Sequence, residues 1–180
     1  MGKIETSAVK MTESEAREKG EAKSNFLGRL LVRSELSKLE IVYFPFLLVE
    51  FRQEHKQGFF RIGRQQKFKE PNSAKSITVI CDGTTNIAAV ADMLPDLAEI
   101  EVDEEQLKEL LFTEQDMESA AYKLAFRMTR RFMGNYNIVM CNTRAIYRPY
   151  YIAWYGDITD GKKARYLPFA ADGFDTNRVI

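Results

Sequence analysis

The chain has 180 residues, 45% hydrophobic and 29% charged, with 26 basic and 26 acidic side chains and zero formal net charge. A chain of this length buries on the order of 70% of its unfolded surface, so a core forms without disulfide or metal staples. The balanced charge argues against a uniformly basic nucleic-acid binder and a polybasic membrane anchor, and it leaves self-association open.

Residues 1–11 read as a flexible leader without the apolar centre of a signal peptide. Thr12 and Glu15 form a capping box that opens a first long helix, with Ala16, Ala22, Phe26, Leu27, Leu30 and Leu31 near helical spacing. Leu39–Arg52 predicts a strand that is apolar on both faces, Val42, Phe44, Phe46 and Leu48 on one and Ile41, Tyr43, Leu47, Val49 and Phe51 on the other. Pro45 donates nothing to a ladder and asks for an edge or a bulge there. Phe59–Phe68, Ser76–Cys81 and Ile87–Ala91 are the next strands, the second ending in the turn pair Asp82-Gly83. Pro95–Val102 reads as a connector, followed by a short helix from Asp103 to Leu111.

Thr113 and Asp116 then open the best helix, its apolar face made of Met117, Ala120, Ala121, Leu124, Ala125, Met128 and Phe132, with Gly134 as the stop. Ile138–Cys141, Ala145–Gly156 and Lys163–Ala171 supply a second meander, with turns at Asp160-Gly161 and Asp172-Gly173. The longest apolar run, Ile41–Val49, is far too short for a bilayer, so no membrane insertion and a cytoplasmic location are expected.

Pieces of the two halves correspond. Tyr43-Phe44-Pro45 matches Tyr147-Arg148-Pro149, Thr12…Glu15 matches Thr113…Asp116, and Cys81-Asp82-Gly83 matches Ala171-Asp172-Gly173. The expected fold is α+β, an internal duplication of one long helix followed by an antiparallel β-meander. The repeats run over 12–92 and 113–180, joined by a connector at 93–112 and packed as one compact unit. Each would use one sheet face for its helix and the other for its twin. In element order, and in a valine-rich strand ending in Asp-Gly, this layout resembles PepSY-like and cystatin-like units.

Candidate chemistry is sparse. His55 is the only histidine and sits in a charged stretch, so neither a zinc site nor a Ser or Cys triad assembles around it. Cys81 and Cys141 stand in no C-x-x-C pair and read as reduced thiols. No phosphate loop, catalytic set, metal or cofactor is expected. The densest aromatic patch is Tyr147, Tyr150, Tyr151, Trp154 and Tyr155, suited to packing or to a partner or ligand groove. The leading reading is a non-enzymatic binding or protein-interaction module, with a protein partner or self-association and room for a small ligand between the repeats. One alternative is single-stranded nucleic-acid binding through Phe59, Phe60, Arg61, Arg64 and Lys67. Another is an enzyme or cation binder at Asp82 and Asp172, although Asp-Gly serves a tight turn for backbone reasons alone.

Overall fold

A computed structural model describes residues 2–28, 36–55, 76–91, 96–132, 136–156 and 165–173. It is a mixed α+β protein, and the described residues hold two α-helices, α1 (Glu13–Gly28) and α2 (Glu114–Phe132). The strands are β1 (Gly2–Ser7), β2 (Leu36–His55), β3 (Ser76–Asp82), β4 (Ala88–Val90), β5 (Leu97–Val102), β6 (Tyr136–Tyr155) and β7 (Arg165–Ala170). These seven form a sheet in the order β4-β3-β2-β6-β1-β5, with β7 also paired to β6. The predicted strand Phe59–Phe68 lies outside the described residues.

Contacts divide the chain into two units that do not follow its two halves. The first is Met1–Phe46, Leu94–Leu110 and Ile146–Asp175; the second is Leu47–Met93, Leu111–Ala145 and Thr176–Ile180.

In the first unit two expectations are corrected. Residues 2–7 are not a flexible leader, and 97–102 are not a bare connector: they are β1 and β5, paired antiparallel from Gly2↔Val102 to Ser7↔Leu97. Alternation explains both. Ile4 and Val102 turn inward with Ile100 and Tyr43, while Lys3 faces Glu101 across the ladder. Six-residue segments rich in charge carry too little periodicity to stand out in the sequence. The predicted helix through Leu111 reduces to one 3₁₀ turn, Glu104–Gln106. The chain beyond that turn bridges to Tyr43 instead, with the Lys108 amide donating to the Tyr43 carbonyl at 2.9 Å.

The capping box of α1 forms as expected. Glu15 Oε2 accepts from the Thr12 amide at 2.8 Å and from its hydroxyl at 3.0 Å, and these bonds hold the Glu15 carboxyl below its ordinary pKa. The helix packs Ala16 against Tyr151 and Ala171, with Leu39 and Ile41 alongside. Pro149 falls between the β1 bridge at Tyr147 and the β7 ladder that starts at Tyr150, so its missing donor sits where the neighbouring strand changes.

In the second unit α2 starts at a reciprocal box. The Thr113 hydroxyl donates to Asp116 Oδ2 at 2.6 Å and accepts from the Asp116 amide at 3.2 Å. Met117, Ala121, Leu124 and Ala125 pack on Leu47, Val49 and Phe51 of β2, Val79 and Cys81 of β3, and Ile138. The fully buried alanines let the helix axis approach the strands closely. Phe46 to Val49 are buried in succession, so both faces of that stretch of β2 are shielded, as their two-sided apolar pattern requires. Asp82 closes the β3–β4 hairpin. Its Oδ1 accepts from the Thr84 amide and hydroxyl, both at 2.7 Å, and Asn86 takes the left-handed conformation at φ 55°.

The two thiols differ in environment. Cys81 is buried and Cys141 exposed, and burial, helped by the Asp82 charge, pushes the Cys81 thiol up to about 11. A thiol-reactive dye at pH 8 is therefore expected to label Cys141 quickly and Cys81 only after unfolding. A thiol whose folded pKa is raised favours folding fully below its unfolded value of 9.0, and that contribution fades as pH climbs towards about 11. Two fast-reacting thiols in the native protein would contradict this assignment.

Candidate functional site

The predicted aromatic strand is the second half of β6, in the first unit, and its rings take different duties. Tyr147 joins the cluster of Ile4, Tyr43 and Val102. Tyr150 meets Phe44 edge-on at 5.1 Å and stacks with Phe46 at 6.4 Å. Trp154 donates from Nε1 to Glu40 Oε1 at 2.8 Å and tilts against Tyr166. Tyr155 donates its hydroxyl to the Gly20 carbonyl at 2.9 Å. Gly20 also admits the strand closely, since a Cβ there would lie 3.5 Å from the Ala153 Cβ. Among the described residues the five rings have separate neighbours, and Tyr151 lines a cavity. Phe59, Phe60, Arg61, Arg64 and Lys67 lie outside the described residues.

That cavity, of about 460 Å³, lies on β2. Leu39, Glu40, Ile41 and Val42 supply one side; Glu13, Glu105, Gln106 and Tyr151 complete the wall. Local structure sets each piece. The Thr12 box fixes the first turn of α1 and hence Glu13. The Tyr43–Leu107 bridge ties the 3₁₀ turn to β2, which holds Glu105 and Gln106 beside residues 39–42. The Tyr151 ring packs on Ala16 and Ala171 while its residue is 9% exposed, and its hydroxyl has no hydrogen-bond partner among the described residues. Burial, then the Glu13 charge, raise the Tyr151 phenol above its ordinary pKa, so it stays neutral. Burial works to raise Glu40 too, but hydrogen bonds from Lys38 and Trp154 outweigh it and hold the carboxyl below its usual value. The cavity therefore presents ionised carboxylate and a neutral phenol above aliphatic side chains.

Asp172, expected as a turn residue beside Gly173, is fully buried. Its Oδ2 accepts from Arg148 Nε at 2.7 Å and from the Ser7 hydroxyl at 2.9 Å, and its Oδ1 accepts from Arg148 Nη2 at 2.9 Å. The Arg148 guanidinium lies 5.3 Å from the Phe46 ring centre and 5.6 Å from that of Tyr150. The signal was present in the sequence: an arginine inside an aromatic strand that is shielded from water needs an internal counter-ion. Neither Asp82 nor Asp172 stands in a metal-binding cluster, and no group of three or more His, Cys, Asp or Glu side chains suited to a metal occurs among the described residues. No described helix is long and apolar enough to cross a membrane. Comparison with protein-family models, curated proteins and solved structures finds no match to this chain.

Proposed function

We propose that the protein is a non-enzymatic binding module that takes its ligand in the β2 cavity. The observation that carries the reading is the cavity wall itself, where Tyr151, a residue 9% exposed whose hydroxyl has no hydrogen-bond partner among the described residues, stands beside Leu39, Ile41 and Val42. A ligand that donates to this hydroxyl exchanges a bond to solvent for one inside the wall, where hydrogen bonds are electrostatically stronger. The partly apolar, partly polar wall fits the usual make-up of a small-ligand site.

The architecture behind this site is, in our reading, a duplication whose halves exchange strands. Four repeated pieces support it. Thr6 bridges to Tyr147, and Leu107, 101 residues after Thr6, bridges in the same parallel sense to Tyr43. The amides of Lys10 and Met11 donate to the Ala171 carbonyl; those of Leu111 and Phe112, again 101 residues on, donate to the Gly83 carbonyl. The capping boxes repeat at the same interval, and the Tyr-x-Pro pairs stand 104 residues apart. On this scheme Gly83 corresponds to Ala171, so the two Asp-Gly pairs are offset by two residues and Asp82 is not the counterpart of Asp172. The PepSY-like or cystatin-like layout would then hold only with helices traded between the halves.

The test is an amide-resolved NMR screen of the full chain with cationic, anionic and neutral small molecules and short peptides. At least one is expected to shift Leu39–Val42 and Gln106 saturably, and Glu105→Trp, which fills the rim, is expected to abolish the response. Absence of any compound acting on these residues, or an undiminished response in Glu105→Trp, would overturn the reading.

A further inference from the structure

We propose that the first half of β6 is a docking edge for a second copy of this chain, the two strands pairing antiparallel about Cys141. The sheet leaves the place open. β2 lies along one side of β6. On the other side β1 touches β6 at Tyr147 alone and the β7 ladder begins at Tyr150, so no described strand flanks residues 137–146 there. The stretch is also exposed where it is apolar: Val139 is 38% and Met140 43% accessible, and Cys141 is exposed. Ile138, packed in the core under α2, anchors the strand from behind.

Composition separates this edge from the others. An open edge presents unpaired N–H and C=O groups, and proteins guard such edges with charge, proline or shortness. β5, which among the described residues pairs with β1 only, carries Glu99 and Glu101 and is flanked by Asp96 and Asp103. β7 carries Arg165 and Pro168, and β4 has three residues. The opening of β2 carries Lys38 and Glu40. Residues 137–143, Asn-Ile-Val-Met-Cys-Asn-Thr, hold no charge, no proline and no glycine. An extended edge without any of these guards is a template for another strand.

The occupant follows from the same residues. A strand that pairs here must be uncharged over the whole stretch and must bring an open edge of its own. Among the described strands of this chain, β6 itself meets both conditions, so a second copy is its complement. Pairing about Cys141 sets Met140 of each copy against Asn142 of the other and Val139 against Thr143, apolar beside polar with no like charges opposed. The two Arg144 side chains fall about 20 Å apart, well beyond the Debye length of about 8 Å at physiological salt. With zero formal net charge the copies also meet without long-range repulsion. Each chain offers one edge of this kind among its described residues, so the pairing is isologous and closes at two. A contact of this length is smaller than a standard interface, which makes the dimer weak and reversible.

Sedimentation velocity and thiol labelling of the full chain, each run across about 5–500 µM protein, test this. The rate constant for labelling Cys141 is expected to be high in dilute solution and at least about threefold lower at the top of the range, with the sedimentation coefficient rising from monomer to dimer over the same interval. Met140→Lys sets like charges diagonally across the pair and is expected to keep the chain monomeric throughout, with an unchanged melting temperature because the side chain it replaces is exposed. An equimolar mixture of Met140→Lys and Met140→Glu is expected to restore a dimer that neither forms alone. A chain that stays monomeric and labels fast at every concentration overturns the inference and leaves the edge to a strand of another protein. Slow labelling at every concentration shows the edge covered within one chain and overturns it equally. A dimer that Met140→Lys leaves intact, with Cys141 still labelled fast, forms through another face, and the inference falls.

Discussion

Asp172→Ala is expected to destabilise the protein by about 3–5 kcal/mol, a large share of the roughly 5–15 kcal/mol that holds a domain of this size together. The reason is the partner left behind. Arg148 is 1% exposed, lies beside the rings of Phe46 and Tyr150, and cannot deprotonate, so removing the carboxylate strands a guanidinium out of water. Arg148→Met alone leaves the reverse problem, a buried carboxylate with the Ser7 hydroxyl still donating to it. Arg148→Met combined with Asp172→Leu is expected to recover most of the loss, because a well-packed apolar pair often replaces a buried ion pair at no net cost. Urea unfolding followed by the fluorescence of Trp154, the only tryptophan, measures all four corners of this cycle. Strictly additive single losses would show that the two groups do not act together.

Phe51→Ala is the second large effect, expected at about 3–5 kcal/mol. Phe51 is 1% exposed on β2 and belongs to the core under α2, beside Leu124 and Ala125. Its ring also meets Tyr122 at 6.2 Å with planes at 63°. Truncation empties space that the packed helix and strands around it close only in part. Tyr122→Ala probes the edge contact separately. Tyr122 is 45% exposed and stacked on Phe126, so its loss is expected at only about 0.5–1.5 kcal/mol. Equal losses for Phe51→Ala and Tyr122→Ala in chemical denaturation would show that burial does not decide the outcome here.

Much of the secondary structure was legible because its signals are local. The Thr12 and Thr113 boxes place both helix starts, and the segment Ser76–Cys81 ending in Asp82-Gly83 places β3 and its turn. β1 and β5 were missed because each is stabilised chiefly by the other, a pairing across some ninety residues that no window contains. The site was legible only in part. Tyr151 stood in the aromatic strand singled out from sequence, but Glu13, Glu40 and Glu105 come from three separate segments and line one cavity only after folding. Asp172 was read through its glycine neighbour. What decides its role is Arg148, 24 residues earlier, and Ser7, 165 residues earlier.

The bonds from Lys10 and Met11 to Ala171, together with that from Ser7 to Asp172, carry a consequence for synthesis. On the ribosome, the opening residues must wait until codons near 172 have been translated before they meet their acceptors. Contacts of such long range slow folding and leave early-made segments exposed. The nascent first unit is thus expected to stay exposed until Ala171 has left the ribosome, and ribosome-bound chains halted before Ala171 should be cut readily by protease near Ser7.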